Sequence, residues 1–357
     1  MFNPQRLSLA RMRRRLTAKA LASLTGLSAD TISRLERGTN VPDDSTVARL
    51  AEGLRYPPSF FAQPEIDAID TEAVSFRSFS KMTAREREAA LAAGVLGLQL
   101  TQLIERHFNL PEADLLDLSR ETNPEVAAAA VRQHWSLGEK PIGNVIGLLE
   151  TKGVRLFSLA ENTASVNAFS FWREEKPFIF LNNFKTAESS IFDTAHELGH
   201  LVMHRMADIR GIRSVEREAD QFASAFLMPE NDVRARLPRF LTVDAVIEMK
   251  SRWRVSAMAL ARRAYTLGRL TEWQYKSMCI ELGRRGYRSS EPVGIAREKS
   301  MVWKKVLTQL WSERVTKDDL AKQLAIPVDE LEGLIWNLTG DDSRPDRYSV
   351  GTIRAVS

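Results

Sequence analysis

Apolar positions recur along most of this chain at helical spacing, and only briefly at strand spacing. Residues 1–62 break into short helical segments. Leu7, Ala10 and Arg11 mark a first helix ending in the run Arg13-Arg14-Arg15. Thr17 opens a second, with Ala20, Leu21 and Leu24 inward and Gly26 closing it, and Ser28 opens a third that Gly38 stops. Pro42-Asp43-Asp44-Ser45 starts a fourth, carrying Val47, Leu50, Ala51 and Leu54. Two helices joined by a turn containing Gly, with a basic helix before them, is the helix-turn-helix layout. Residues 63–75 are acidic and irregular and read as a linker. Thr83 with Glu86 then has capping-box spacing for a long helix to about His107, with an apolar stripe of Ala89, Leu91, Val95, Leu98, Leu103 and Ile104. Asn123-Pro124-Glu125 opens another helix through Trp135, and Pro141 one more through Leu149.

The pattern switches to strand chemistry at Gly153 to Phe157, Asn167 to Trp172 and Phe178 to Leu181, then returns to helix. Ser190 with Asp193 approximates a capping box for a helix made apolar by Ile191, Ala195, Leu198, Leu201 and Val202. An amphipathic helix from Glu216 to Pro229 can pack antiparallel on it through Ala219, Phe222, Ala223 and Phe226. Further helices follow from Pro238 to Leu282, with Trp253, Val255, Ala259, Leu260 and Ala264 on one apolar face and Trp273 and Tyr275 on another. Residues 283–296 read as a basic loop. Residues 315–331 repeat a helix-turn-helix-like pattern weakly, with Thr316 and Asp329 as caps, and read as a small packing module. The fold class is therefore mainly α with a small α+β part. The expected domains are 1–62, a linker 63–75, 76–282, a helical C-terminal module 283–340, and a mobile tail 341–357.

Composition adds bounds. With 44% hydrophobic and 27% charged residues, the chain is that of an ordinary globular protein long enough for two or three cores. A single cysteine, Cys279, excludes an intramolecular disulfide and fits a reducing cytoplasm. The basic start lacks an apolar h-region, so it does not read as a secretory signal, and no stretch is apolar enough to span a membrane. Charge changes the picture more. Residues 1–40 carry eight basic side chains against two acids, a surplus of six, whereas the whole chain is only +4. A polyanion is the expected partner of this region, and with the helix-turn-helix layout the expectation becomes double-stranded DNA.

The chemistry is concentrated in His196-Glu197-Leu198-Gly199-His200. Histidines four apart share one helix face, because a turn takes about 3.6 residues, and can both reach one zinc ion. Glu197 projects beside that ion, placed to take a proton from water. A third ligand is needed, and His204, Glu216 and Glu218 are the candidates. His204 lies two turns beyond His196, roughly 12 Å along a straight helix, and is expected behind the ligands. Glu216 and Asp220 sit i, i+4, so Glu216 is expected as the ligand and Asp220 as the carboxylate fixing a ligand histidine, with Glu218 as the fallback ligand. Phe178-Ile179-Phe180-Leu181-Asn182 is the candidate edge strand for an extended peptide substrate. Asn182, Asn183, His204 and several arginines remain open as oxyanion partners.

Two resemblances sharpen these readings. LTAKALASLTGLSADTISRLERGTNVP, with the following VARLAEGLRYPPSFF, resembles the Xre (lambda-repressor-like) DNA-binding domain, a five-helix bundle. It departs from that pattern at Ala18 and Ala29, where glutamines are expected. Base reading then falls to Asp30, Thr31, Ser33 and Arg34, and phosphate contact to Arg13, Arg14, Arg15 and Lys19. HELGHLVMH followed by EREADQFASAFLMP resembles the ImmA/IrrE zinc metallopeptidases, and the likeness runs from about Val74 to Arg263. That resemblance implies a zincin-like fold, cleavage of a DNA-binding repressor, His196, His200 and Glu216 as ligands, and Glu197 as general base.

The expected protein is a cytoplasmic DNA-binding regulator with one Zn2+ per chain. It would act as an endopeptidase on a repressor, another regulatory protein or its own chain, and would form a homodimer on two half-sites. The competing reading is a non-catalytic transcription factor or antitoxin-like regulator, using the zinc fold as sensor or scaffold.

Overall fold

Side-chain caps start most of the helices in the computed structural model, which describes residues 1–64, 69, 82–159, 168–205, 212–288 and 290–339. The rest of the expected linker and the tail from 341 lie outside the described residues. Asn3, Thr17, Ser28 and Asp43 accept backbone N–H groups at the starts of α1 (Pro4–Arg13), α2 (Ala18–Thr25), α3 (Ala29–Glu36) and α4 (Asp44–Leu54). A 3₁₀ turn, Pro58–Ala62, completes the bundle around Leu7, Leu21, Ile32, Leu50 and Phe60. Leu24 was expected inward but is 55% exposed, because the inward stripe of α2 is Leu21, Ala22 and Thr25.

The capping box at Thr83 and Glu86 is formed in both directions and opens α5 (Ala84–Glu105), whose middle is buried on every side. α6 (Pro124–His134) starts behind Asn123. α7 (Val145–Thr151) starts behind Asn144, later than Pro141 suggested. The reason is tertiary: Glu298 accepts the Val145 and Ile146 N–H groups at 2.7 and 3.0 Å.

The sheet has strands β1 (Arg155–Leu159), β2 (Ala168–Arg173) and β3 (Lys176–Asn182) in the order β1-β3-β2. β3 runs parallel to β1 and antiparallel to β2. Phe180 stacks between Phe157 and Phe169, with ring centroids 5.1 and 4.8 Å away. Phe178-Ile179-Phe180-Leu181-Asn182 is thus the centre of the sheet and not its edge, since β3 hydrogen-bonds a neighbour on both sides. A peptide cannot add there. β2 pairs with β3 alone among the described residues.

α8 (Ala187–Met203) begins on Thr186, whose hydroxyl accepts from Ser189 N at 3.2 Å. Ser190, expected as the cap, is buried inside the first turn and donates to Asn183 Oδ1 at 3.2 Å. α9 (Ile212–Leu227) packs on α8 through Ala219, Phe222, Ala223 and Phe226, all fully buried. The two helices approach closely at Gly199, where a Cβ would meet the Phe222 ring at 3.0 Å.

α10 (Glu230–Arg236), α11 (Val243–Trp253), α12 (Ala257–Thr266) and α13 (Glu272–Arg284) follow. Trp253, Val255, Leu260 and Ala264 are buried as expected, but Trp273 is 77% exposed. The apolar face of α13 runs through Met278 and Leu282, and Trp273 lies off it. The basic loop after α13 returns to the core through its one acid, Glu291. Glu291 and Glu188 flank the buried Lys250 at 3.2 and 2.9 Å.

α14 (Met301–Ser312) and α16 (Val328–Ile335) reach the sheet, and α15 (Lys317–Gln323) packs on α16. Trp303 Nε1 donates to Leu156 O of β1 at 3.0 Å, and Asn183 Nδ2 to Trp336 O at 3.2 Å. Thr316 caps α15 within a capping box. Asp329 does not cap α16. Pro327 occupies the cap position, and Asp329 with Glu330 lies in the first turn, turned toward the N-terminal bundle.

Candidate metal centre

His196 and His200 project from one face of α8, and Glu216 meets them from α9. The two Nε2 atoms are 3.0 Å apart, and the Glu216 carboxylate oxygens lie 3.4 Å from His196 Nε2 and 3.3 Å from His200 Nε2. Donors about 2.0–2.1 Å from a tetrahedral zinc stand roughly 3.3 Å from one another, so the three residues fit such an ion. Among the described residues they form the cluster with metal-holding geometry.

The surrounding hydrogen bonds fix the lone pairs. Asp220 Oδ1 lies 2.9 Å from His196 Nδ1, so in the neutral ring Nδ1–H donates outward and Nε2 faces the cluster with its lone pair. His204 sits at the C-cap of α8, where the chain leaves helical geometry at φ −122° and turns the ring back toward His200. Its Nε2 is 3.1 Å from Glu218 Oε2 and its Nδ1 is 3.1 Å from His200 Nδ1. With Glu218 accepting from His204 Nε2–H, His204 Nδ1 accepts from His200 Nδ1–H, and His200 Nε2 also presents a lone pair inward. Glu218, the fallback ligand, meets His204 and is not one of the three converging residues.

Electrostatics agree with a site built for a cation. Burial raises Glu216, but hydrogen bonds from His196 and His200 outweigh it and hold the carboxyl at about 2. Burial lowers His196, but Asp220, Glu216 and Glu197 carry it up to about 10. His200 is lowered by burial and by the charge of His196, against Glu216. The carboxylates around the two rings thus favour a positive charge at the cluster.

Glu197 is 1% exposed and accepts from Ser170 Oγ at 2.6 Å. Burial is the main cause pushing its carboxyl up to about 7, aided by Glu216 and Asp193 and opposed by His196 and Ser170. Ser170, on β2, escapes motif spacing. Its one signal is a hydroxyl between Phe169 and Phe171 in an aromatic strand. Of the open oxyanion candidates, Asn183 is bound to Ser158, Ser190 and Trp336 O, and Asn182 Oδ1 accepts from Phe184 N.

Comparison with known families bears on the same residues. Residues 149–265 match a peptidase family model described as the IrrE N-terminal-like domain, and residues 5–59 match a helix-turn-helix domain. The chain joins these two domains. No curated protein matches it. The IrrE-like match spans β1 through α12 and so contains His196, Glu197, His200, Glu216 and Ser170. The fusion read from the sequence is therefore present.

The N-terminal basic residues are placed unequally. Lys19, Asp30 and Arg34 are exposed, with Thr31 and Ser33 half-buried beside them. Arg34 pairs with Asp30 at 2.9 Å along the outer face of α3. Arg13 is buried against Glu330 at 2.8 Å, and Arg14 meets Asp329 at 3.2 Å and Glu330 at 3.0 Å. For these two side chains, contact with α16 and contact with a phosphate exclude each other. Arg15 closes the α1–α2 turn with a left-handed backbone, φ 55°.

Proposed function

We propose that the chain is a DNA-binding regulator whose IrrE-like domain hydrolyses peptide bonds in a repressor, another regulatory protein or its own chain. The convergence of His196, His200 and Glu216 beside a carboxylate that is not a ligand carries this reading. A scaffold has no use for Glu197, buried and held by Ser170. Bound by those three residues, one zinc ion would supply Lewis acidity to water and to the scissile carbonyl. Glu197 would accept the proton from water and return it to the leaving amine. Ser170 positions the Glu197 carboxylate. Among the described residues β2 pairs on one side alone, and its outer edge, beside Glu197, is the place for an extended substrate to pair, in place of β3. Base and phosphate contact rests on Asp30, Thr31, Ser33, Arg34, Lys19 and Arg15, with a homodimer spanning two half-sites.

The test measures zinc by mass spectrometry in wild type, Glu216→Ala and Glu218→Ala, then follows new termini after incubation with cell extract. Glu216→Ala is expected to lose zinc and cleavage together, whereas Glu218→Ala keeps zinc. Equal zinc in both variants would remove Glu216 from the ligand set. Ser170→Ala is expected to keep zinc and lower turnover by about tenfold, the worth of one hydrogen bond to a charged group. An unchanged rate would show that Glu197 needs no such support.

A further inference from the structure

A cleft of about 350 Å³ opens beside the metal site and is not used by the mechanism above. Phe192 on α8, one turn before His196, and Asp220 on α9, the partner of His196, line its near side. Arg217, Gln221 and Ser224 continue the same face of α9, and Arg262 closes the far wall from α12.

The charges in this cleft do not cancel. Arg263 is buried, bonds both oxygens of Glu125 and donates to Met228 O, so that pair is neutral. Asp220 is engaged with His196. Arg217 and Arg262 make no ion pair among the described residues. The Arg262 guanidinium lies 5.5 Å and 5.6 Å from the ring centroids of Tyr265 and Tyr275. Those contacts hold its plane and leave donor edges for an acceptor. Two guanidinium groups in a concave site with an apolar wall at Phe192 and Ala259 match a carboxylate on a short aliphatic stem.

We propose that this cleft receives a carboxylate of the substrate, bound by Arg217 and Arg262 and lying within a residue or two of the scissile bond. The inference rests on the peptidase reading, which puts the scissile carbonyl beside Glu197. Consecutive Cα atoms are about 3.8 Å apart, so a neighbouring residue reaches past Asp220 into the cleft. The carboxylate is either an Asp or Glu side chain or the end of a peptide chain. A lysine in the same place would face two cations.

Hydroxamate-capped Asp, Leu and Lys amides, together with hydroxamate-capped Leu bearing a free carboxy terminus, separate these cases. Each would be titrated by calorimetry into the full-length protein loaded with zinc, with metal content measured in parallel. The Asp amide is expected to bind at least about tenfold tighter than the Leu amide, with the Lys amide weakest. In Arg217→Glu/Arg262→Glu the order of Asp and Lys reverses, and in Arg217→Gln/Arg262→Gln the preference disappears at unchanged zinc content. A gain for the free-terminus Leu compound alone would assign the carboxylate to a chain end. Equal affinity for all four compounds overturns the inference while leaving the peptidase reading in place. Absence of binding by every hydroxamate, or of zinc from the protein, overturns the peptidase reading and this inference with it.

Discussion

Glu197→Gln is expected to lower peptide hydrolysis by about a thousandfold while the protein keeps its zinc. The substitution preserves size, and an amide oxygen can still accept from Ser170, so the packing between β2 and α8 is undisturbed. What it removes is the ability to take up a proton. General acid–base groups contribute roughly 10²–10⁴ in rate, and this carboxylate would act twice in each cycle, first as base and then as acid. Its burial places it at about 7, near the range where a group can both accept and return a proton at neutral pH. Single-turnover rates on the mapped substrate, with zinc measured on the same samples, give the answer. Full activity in the variant would remove Glu197 from the chemistry. Loss of zinc would make it a ligand and would break the distinction between Glu197 and Glu216. His200→Ala is the contrasting case, expected to lose metal and turnover together.

The local part of the site was legible in the sequence, and the non-local part was not. His196 and His200 share a face because the helix repeat puts them there. The same repeat on α9 places Glu216 and Asp220 toward α8 once Ala219, Phe222 and Ala223 are buried. His204 fits the distance argument only in part. It does not join His196, but the turn at the end of α8 folds it against His200. Ser170 was missed because its partner lies on another element, 27 residues away. The start of α7 was misplaced for the same reason, since Glu298, more than 150 residues on, satisfies its first N–H groups.

The order of the strands carried a signal that was misread. Residues 177–181 form an unbroken apolar run, buried throughout. Such a run suits a strand covered on both faces at the centre of a sheet, and an edge strand more often alternates. β2, with Trp172 and Arg173 less buried at its end, has the more exposed pattern and is one of the two edges, β1 being the other. Proximity in sequence to α8 favoured β3, but the antiparallel return of β2 puts Ser170 and Trp172 against that helix. Trp172 Nε1 donates to Leu201 O at 3.0 Å.

Glu330→Ala is expected to destabilise the contact between the N-terminal bundle and α16 by about 3–5 kcal/mol. Glu330 and Arg13 are 1% and 2% exposed, so deleting the carboxylate leaves the guanidinium in low dielectric without this counter-charge. Asp329→Ala supplies the contrast. Asp329 is 30% exposed, so water screens the loss of its contact with Arg14 to within about 1 kcal/mol. Hydrogen exchange in α1 and α16, with urea unfolding followed by tryptophan fluorescence, measures both. Equal effects from the two variants would show that burial does not govern this contact. Arg13→Met/Glu330→Leu should recover most of the loss, because a well-packed apolar pair removes the cost of desolvating two charges. The three consecutive arginines read as a phosphate-binding cluster because charge density is visible in sequence and the partner is not. Two of them meet carboxylates more than 300 residues away, in a helix that also reaches the sheet through Trp336. The segment proposed to meet DNA is therefore tied, through α16, to the sheet on which α8 and the candidate metal centre pack. A phosphate that claimed Arg13 or Arg14 would have to take it from Glu330.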